Sequence, residues 1–326
     1  MRRIGRWLGA ILIAFIVLLA GVWFLAPRPG VDPALHFSAN SLGSDLDAYL
    51  TSEEHHFSDI TPGAEKRIIW AGATGVKTPY AVVYLHGYSA TSEEIRPVPD
   101  DVAKALGANL FFTRFTGHGR GGAAMAQATA GDWINDTAEA LAIGKRLGDK
   151  VIVISTSTGG TLAAIAATDP RLAPEMAGIV FLSPNFGIND PLAFLLTWPL
   201  VRVWAPLVAG PVHSFTPLND RQAKFWTTSY PTIAAVPLGA LVAYADRQDY
   251  ATAKTPALFI YTRADKVVRP DRTDAVVARW GGPKQVVNPV MGPKDDPSSH
   301  VIAGDILSPD QTAPTVARIL DWAKGL

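Results

Sequence analysis

The chain has 326 residues, with 29 Lys and Arg balanced by 29 Asp and Glu, and it contains no cysteine. A zero formal charge without a long basic run argues against nucleic acid as a partner. The absence of thiols excludes disulfides, a cysteine nucleophile and cysteine-ligated zinc, and leaves the redox compartment open.

At the N-terminus Arg2, Arg3 and Arg6 precede residues 7–26, a run of twenty residues without a charge. As a helix this run covers about 30 Å, the thickness of a bilayer's hydrocarbon core. Trp7 and Trp23 stand near its two ends, where interfacial aromatics belong. The arginines should remain cytoplasmic, so the expectation is a single-pass signal anchor with the remainder on the extracytoplasmic side. A cleaved signal peptide competes with this reading, but cleavage after Ala26 would put Phe24 where a small residue is required. Residues 27–34 (PRPGVDPA) form a stiff, proline-rich exit, and 27–66 is expected to act as tether and N-terminal extension. Residues 42–56 can hold a helix. His55 and His56 would point apart on regular structure and have no third ligand at a useful spacing, so they read as a solvated face.

From residue 67 strands and helices alternate. Strands are expected at 67–70, 80–85, 109–114, 151–154, 179–182, 257–261 and 285–290, with helices closing at Gly107, over 133–147 and around Val316 to Ala323. This order means an α/β fold with a mostly parallel sheet, over 67–326. Between 187 and 254 the alternation stops, and the stretch shows no clear strand. An insertion of that length is too long for an ordinary loop and reads as a helical cap. Its segment 192–208 is apolar enough to raise a second span, but Pro199, Arg202 and Pro206 break it. Its apolar residues would pack on the sheet domain or also line an entrance for a greasy substrate.

The stretch 151–160, VIVISTSTGG, carries the chemistry. A buried strand runs into a helix, so Ser157 falls on the tight turn between them, with small neighbours Ser155 and Gly159 two positions away on either side. Centring the turn on Ser155 would place Val153 in a crowded position, and Thr158 is β-branched, which resists the left-handed backbone such a turn needs. An ordinary helix N-cap serine is the competing reading. A serine nucleophile needs a base, and the base an orienting acid. Only His213 and His300 follow Ser157 among the histidines. His213 lies inside the expected cap, whereas His300 comes just past the last expected strand. Asp265 leaves the strand ALFIY at the edge where ligands of parallel sheets bind, and Asp190 is the alternative acid. The N–H groups of Thr158 and Tyr88 would receive an oxyanion, with Gly87 freeing the turn before Tyr88. His118, between two glycines, precedes the serine and is expected to organise its own loop.

LHGYSAT, RFTGHG, STSTGG, TRADKVV and SSHV, in that order, resemble the serine α/β-hydrolase superfamily, and within it the capped carboxylesterase and monoacylglycerol-lipase-like members. The resemblance covers residues from about 67 to the C-terminus and departs from the usual motif at Ser155, which stands for glycine. It implies Ser157, Asp265 and His300 as a triad, Tyr88 and Thr158 as oxyanion donors, no metal or organic cofactor, and a small-molecule acyl ester as substrate. The rival expectations are an acyltransferase or thioesterase using the same triad, and a non-catalytic binding module on the membrane.

Overall fold

A computed structural model describes residues 2–326, with side chains from Trp7 onward. The chain opens with α1 (Arg2–Leu25). A short helix α2 (Leu46–Glu54) follows, started by Asp45, whose carboxylate accepts from Ala48 N. Then come β1 (Arg67–Ile69), β2 (Thr78–Leu85), α3 (Val98–Leu106), β3 (Asn109–Phe112), α4 (Gly122–Gln127), α5 (Ala130–Leu147), β4 (Gly148–Thr156), α6 (Thr158–Thr168) and β5 (Gly178–Leu182). After β5 the chain builds α7 (Val201–Val208), β6 (Val212–Ser214), α8 (Asp220–Phe225), β7 (Ser229–Pro231) and α9 (Ala235–Asp246). It closes with β8 (Ala257–Ile260), α10 (Pro270–Arg279), β9 (Lys284–Val287) and α11 (Thr312–Ala323).

Seven strands form one sheet in the order β1-β3-β2-β4-β5-β8-β9, antiparallel only at β1. The β-branched run in β4 explains its central place. Val151 and Val153 face one side, toward α5 and α6, while Ile152 and Ile154 face the other, toward α3 and α11. A strand buried on both faces reads as a continuous apolar run because alternation has no solvent side to report. Gly107, at φ 60° and ψ 33°, ends α3 in the left-handed conformation that glycine adopts without a Cβ penalty. Thr129 and Asp132 close a capping box at the start of α5.

Two expectations change. Residues 42–54 do not behave as a tether: Leu42, Leu46 and Leu50 are buried in the core beside α5, and Glu54 forms a buried ion pair with Arg114 at 2.8 Å. The weak charge pattern concealed them, because three leucines at spacing four carry the packing. The insertion also contains strand after all, since β6 and β7 pair antiparallel from Val212 opposite Pro231 to Ser214 opposite Ser229. Three-residue strands are too short to show period-two patterning. Residues 192–208 form no single span: a 3-10 turn (Ala193–Thr197) and α7 meet at Leu200, whose φ is 56°.

Candidate active site

Ser157 follows β4 and precedes α6, with φ 51° and ψ −114°. A non-glycine residue there is strained by roughly 1–3 kcal/mol. Neighbouring backbone holds it: Ser157 N donates to Leu182 O at 3.0 Å, and its carbonyl accepts from Asn185 N at 3.0 Å. Gly159 is required by contact, because a Cβ there would lie 2.1 Å from Leu85 O. Ser155, in the place of the usual glycine, fits because its hydroxyl turns away and donates to Val180 O at 2.9 Å. Ser89, Ser183 and Ser299 also take positive φ, at 61°, 43° and 53°, so left-handed serines gather in the loops around Ser157.

His300 and Asp265 meet. His300 Nδ1 lies 2.8 Å from Asp265 Oδ2, with both side chains buried. The other oxygen of Asp265 accepts from Val267 N and Val268 N, at 2.8 and 2.9 Å, fixing the carboxylate's plane. Burial alone would lower the His300 pKa, but the charge and hydrogen bond of Asp265 outweigh it and raise it above the ordinary value. The histidine's loop is held by Asp296, whose Oδ2 accepts from His300 N and Val301 N at 3.0 and 2.9 Å. Lys266 ties the acid and histidine loops together, its N donating to Ser298 O and its Nζ to Pro297 O.

The Tyr88 loop is built as firmly. Gly87 N donates to Glu94 Oε2 at 2.7 Å, and Tyr84 OH donates to the same oxygen at 2.9 Å. Burial pushes the Glu94 carboxyl up to about 6. With Gly87 N occupied, Tyr88 N has no acceptor among the described residues. Thr158 is the first residue of α6, so its N–H lacks an intrahelical partner. The Tyr88 ring packs edge-on against His118, Trp133 and Tyr230. Phe115 N donates to His86 Nε2 at 3.1 Å, which places that imidazole's proton on Nδ1, toward Gly87 O. His118 is buried within its own loop, where burial pushes its pKa down to about 4.

Ser157, His300 and Tyr88 line one cavity of about 420 Å3, roofed by residues of the insertion that include Phe215, Trp226 and Leu238. His213 lines it too, its ring 5.2 Å from that of Tyr230. Asp190 does not join the group; it is exposed and its carboxylate accepts from Leu192 N. Glu94 and Asp296 were not singled out from sequence. The pair Glu93-Glu94 reads as a solvated acidic turn, and Asp296 as one of several loop carboxylates. Their proximity to HGY and SSHV was the available signal.

Residues 77–288, more than half of the chain, match the family profile described as Hydrolase_4, serine aminopeptidase S33. The chain belongs to this family of α/β hydrolases. A 102-residue stretch is 31% identical to the thermostable monoacylglycerol lipase of Bacillus sp. (strain H-257), covering 31% of this chain and 39% of that lipase's length. The fold is similar to that of a lipolytic enzyme from the metagenome-derived pair LipS and LipT, with TM-score 0.66 and 22% identity, over 81% of this chain and 99% of that one. It is also similar to the Paleococcus ferrophilus monoacylglycerol lipase, with TM-score 0.56 and 14% identity, over 79% and 96% of the two chains. At these identities the solved structures show the fold alone: an α/β-hydrolase sheet flanked by helices.

Proposed function

We propose that the protein is a membrane-anchored serine hydrolase that cleaves carboxylic esters of lipid-like acyl chains. The observation that carries this reading is a strained serine sharing one cavity with a histidine whose far nitrogen is bonded to a buried aspartate. Membership of a hydrolase family and the partial likeness to a monoacylglycerol lipase support the ester class.

In the proposed reaction Ser157 Oγ attacks the acyl carbonyl while His300 Nε2 takes its proton. Asp265 holds the tautomer that leaves Nε2 free to accept, and stabilises the imidazolium that forms. The carbonyl electron pair moves onto oxygen, where the N–H groups of Tyr88 and Thr158 receive the charge. Collapse of the intermediate breaks the ester C–O bond, and His300 returns the proton to the departing alcohol. Water, deprotonated by His300, then attacks the acyl-enzyme; the bond between Ser157 Oγ and the acyl carbon breaks as His300 returns the proton to Oγ, and the acid is released. The largely apolar walls contributed by Phe215, Trp226 and Leu238 suit an acyl chain. Residues 7–25, with mean hydropathy 2.8, are long and apolar enough to cross a membrane, which supports an anchor, and the arginines at positions 2, 3 and 6 before them support a domain on the extracytoplasmic side.

The test is turnover by the full chain in detergent of glycerol esters with acyl chains of graded length, with aminoacyl amides and competing alcohols in parallel. Hydrolysis favouring longer chains, lost in Ser157→Ala, is expected. Turnover of aminoacyl amides alone, or transfer to the alcohol in place of water, would contradict the reading.

A further inference from the structure

The cap leaves one face without cover. On α7, Val203, Leu207 and Val208 are 66%, 83% and 77% exposed, and Leu192 and Phe194 just before it are 61% and 56% exposed. Isolated exposed apolar side chains need no explanation, but contiguous ones rimmed by polar residues mark an interaction surface. This patch adjoins α1, which is long and apolar enough to cross a bilayer. The rings of Trp23 and Trp198 meet edge-to-face at 5.2 Å. Leu200, in the left-handed conformation, turns its N–H onto Pro27 O at 3.1 Å. A groove of about 760 Å3 separates the end of α1 from the cap, lined by Ile16, Trp23, Leu195, Trp198, Leu200 and Trp204 among others.

The lining fixes a depth. From Ile16 to the end of α1 at Leu25 is nine residues, about 14 Å along the axis, roughly half the thickness of a hydrocarbon core. If α1 crosses a bilayer, cap residues that share a groove with Ile16 cannot stand in water. We infer that the apolar face of the cap, residues 192–208, is seated in the bilayer leaflet beside the C-terminal half of α1. The occupant of this surface is therefore lipid acyl chain. This inference rests on reading α1 as a membrane span.

The side chains fit such a seat. Arg28 lies over the Trp23 ring at 4.4 Å, and Arg202 is exposed on α7; long cationic side chains of this kind reach from apolar surroundings to head groups. The seat also adjoins the catalytic cavity. Leu196 of the cap is in contact with Gly239, and the neighbouring Leu238 lines the cavity around Ser157. An acyl ester in the leaflet would reach the serine past one layer of cap residues without crossing water.

The chain's lack of cysteine allows a direct test in the full-length protein reconstituted into phosphatidylcholine vesicles. Single variants Val203→Cys, Leu207→Cys, Val17→Cys and Val76→Cys are labelled with an environment-sensitive fluorophore and exposed to lipid-borne nitroxide quenchers. Val76, 57% exposed, precedes β2 at the end of the sheet where the parallel strands begin, away from the cap that follows their C-terminal ends, and serves as the aqueous reference. The expected result is a blue-shifted emission at 203 and 207, quenched at least about threefold more than at 76. Quenching at 17 with 203 and 207 behaving like 76 would overturn the seating of the cap and leave the anchor intact. No quenching at 17 would overturn the anchor, and the inference with it.

Discussion

Gly159→Ala probes the contact on which the geometry of the site depends. The added Cβ would lie 2.1 Å from Leu85 O, 2.6 Å from Leu85 C and 2.8 Å from His86 O. A carbon needs about 3.3 Å from a carbonyl oxygen, so backbone must move by roughly 1.2 Å, and no flexible side chain can absorb the shift. Leu85 ends β2 and leads directly into His86-Gly87-Tyr88, so whichever side yields, the N–H of Tyr88 and that of Thr158 separate. Overpacking of this kind costs about 1–3 kcal/mol, here at the upper end because both partners are main chain, or roughly 4–6 °C in Tm. A displacement of about 1 Å in a catalytic constellation costs on the order of 10²-fold in rate. The assay is kcat/KM on a short-chain ester beside thermal unfolding, with Gly72→Ala, where nothing lies within 4 Å, as the neutral control. A Gly159→Ala enzyme within threefold of the parent would refute the reasoning.

Other expectations follow from the same geometry. Because Asp265 raises the His300 pKa and the proposed base is the neutral imidazole, kcat/KM should rise with pH to a midpoint above 6.5; Asp265→Asn should lower the plateau by about 10⁴-fold and move the midpoint down. An unchanged midpoint in the variant would contradict the pairing. Ser155→Gly, which restores the usual motif, removes the bond to Val180 O and adds chain entropy; it should cost about 1–2 kcal/mol in chemical denaturation and leave kcat within a few-fold. Burial raises the folded-state pKa of Glu94 from 4.5 to about 6, so its contribution to stability is full below 4.5 and lost as pH rises through 6. Glu94→Gln does not titrate, and its Tm relative to the parent should therefore climb between pH 4.5 and 6.5 by the equivalent of about 1.5 kcal/mol. A flat difference across that range would show that Glu94 is not held in this way.

The order of strands and the position of Ser157 were legible because both rest on local constraints. A β-branched run buried on two faces and a turn crowded by backbone each exclude most residue types, and the exclusions show in sequence. Asp265 could be read beside Asp190 from the strand it follows, but only the fold brings one of them to His300. Glu94 and Asp296 were illegible for the opposite reason. Each lies outside the strands and α-helices and holds a neighbouring loop through backbone N–H groups, Glu94 with the Tyr84 hydroxyl as well, and backbone partners leave no mark in composition. The leucines of α2 and the strands β6 and β7 were missed because the first pack through tertiary contact and the second are too short to carry a period.

The most direct measurement of the central claim is the mass of the full chain after reaction with a fluorophosphonate, which reacts preferentially with an activated serine, followed by peptide mapping. One adduct per chain on Ser157, abolished in Ser157→Ala and strongly slowed in His300→Ala, is the predicted result. A folded protein that takes up no probe, or takes it up on another residue, would contradict the assignment of Ser157 as nucleophile.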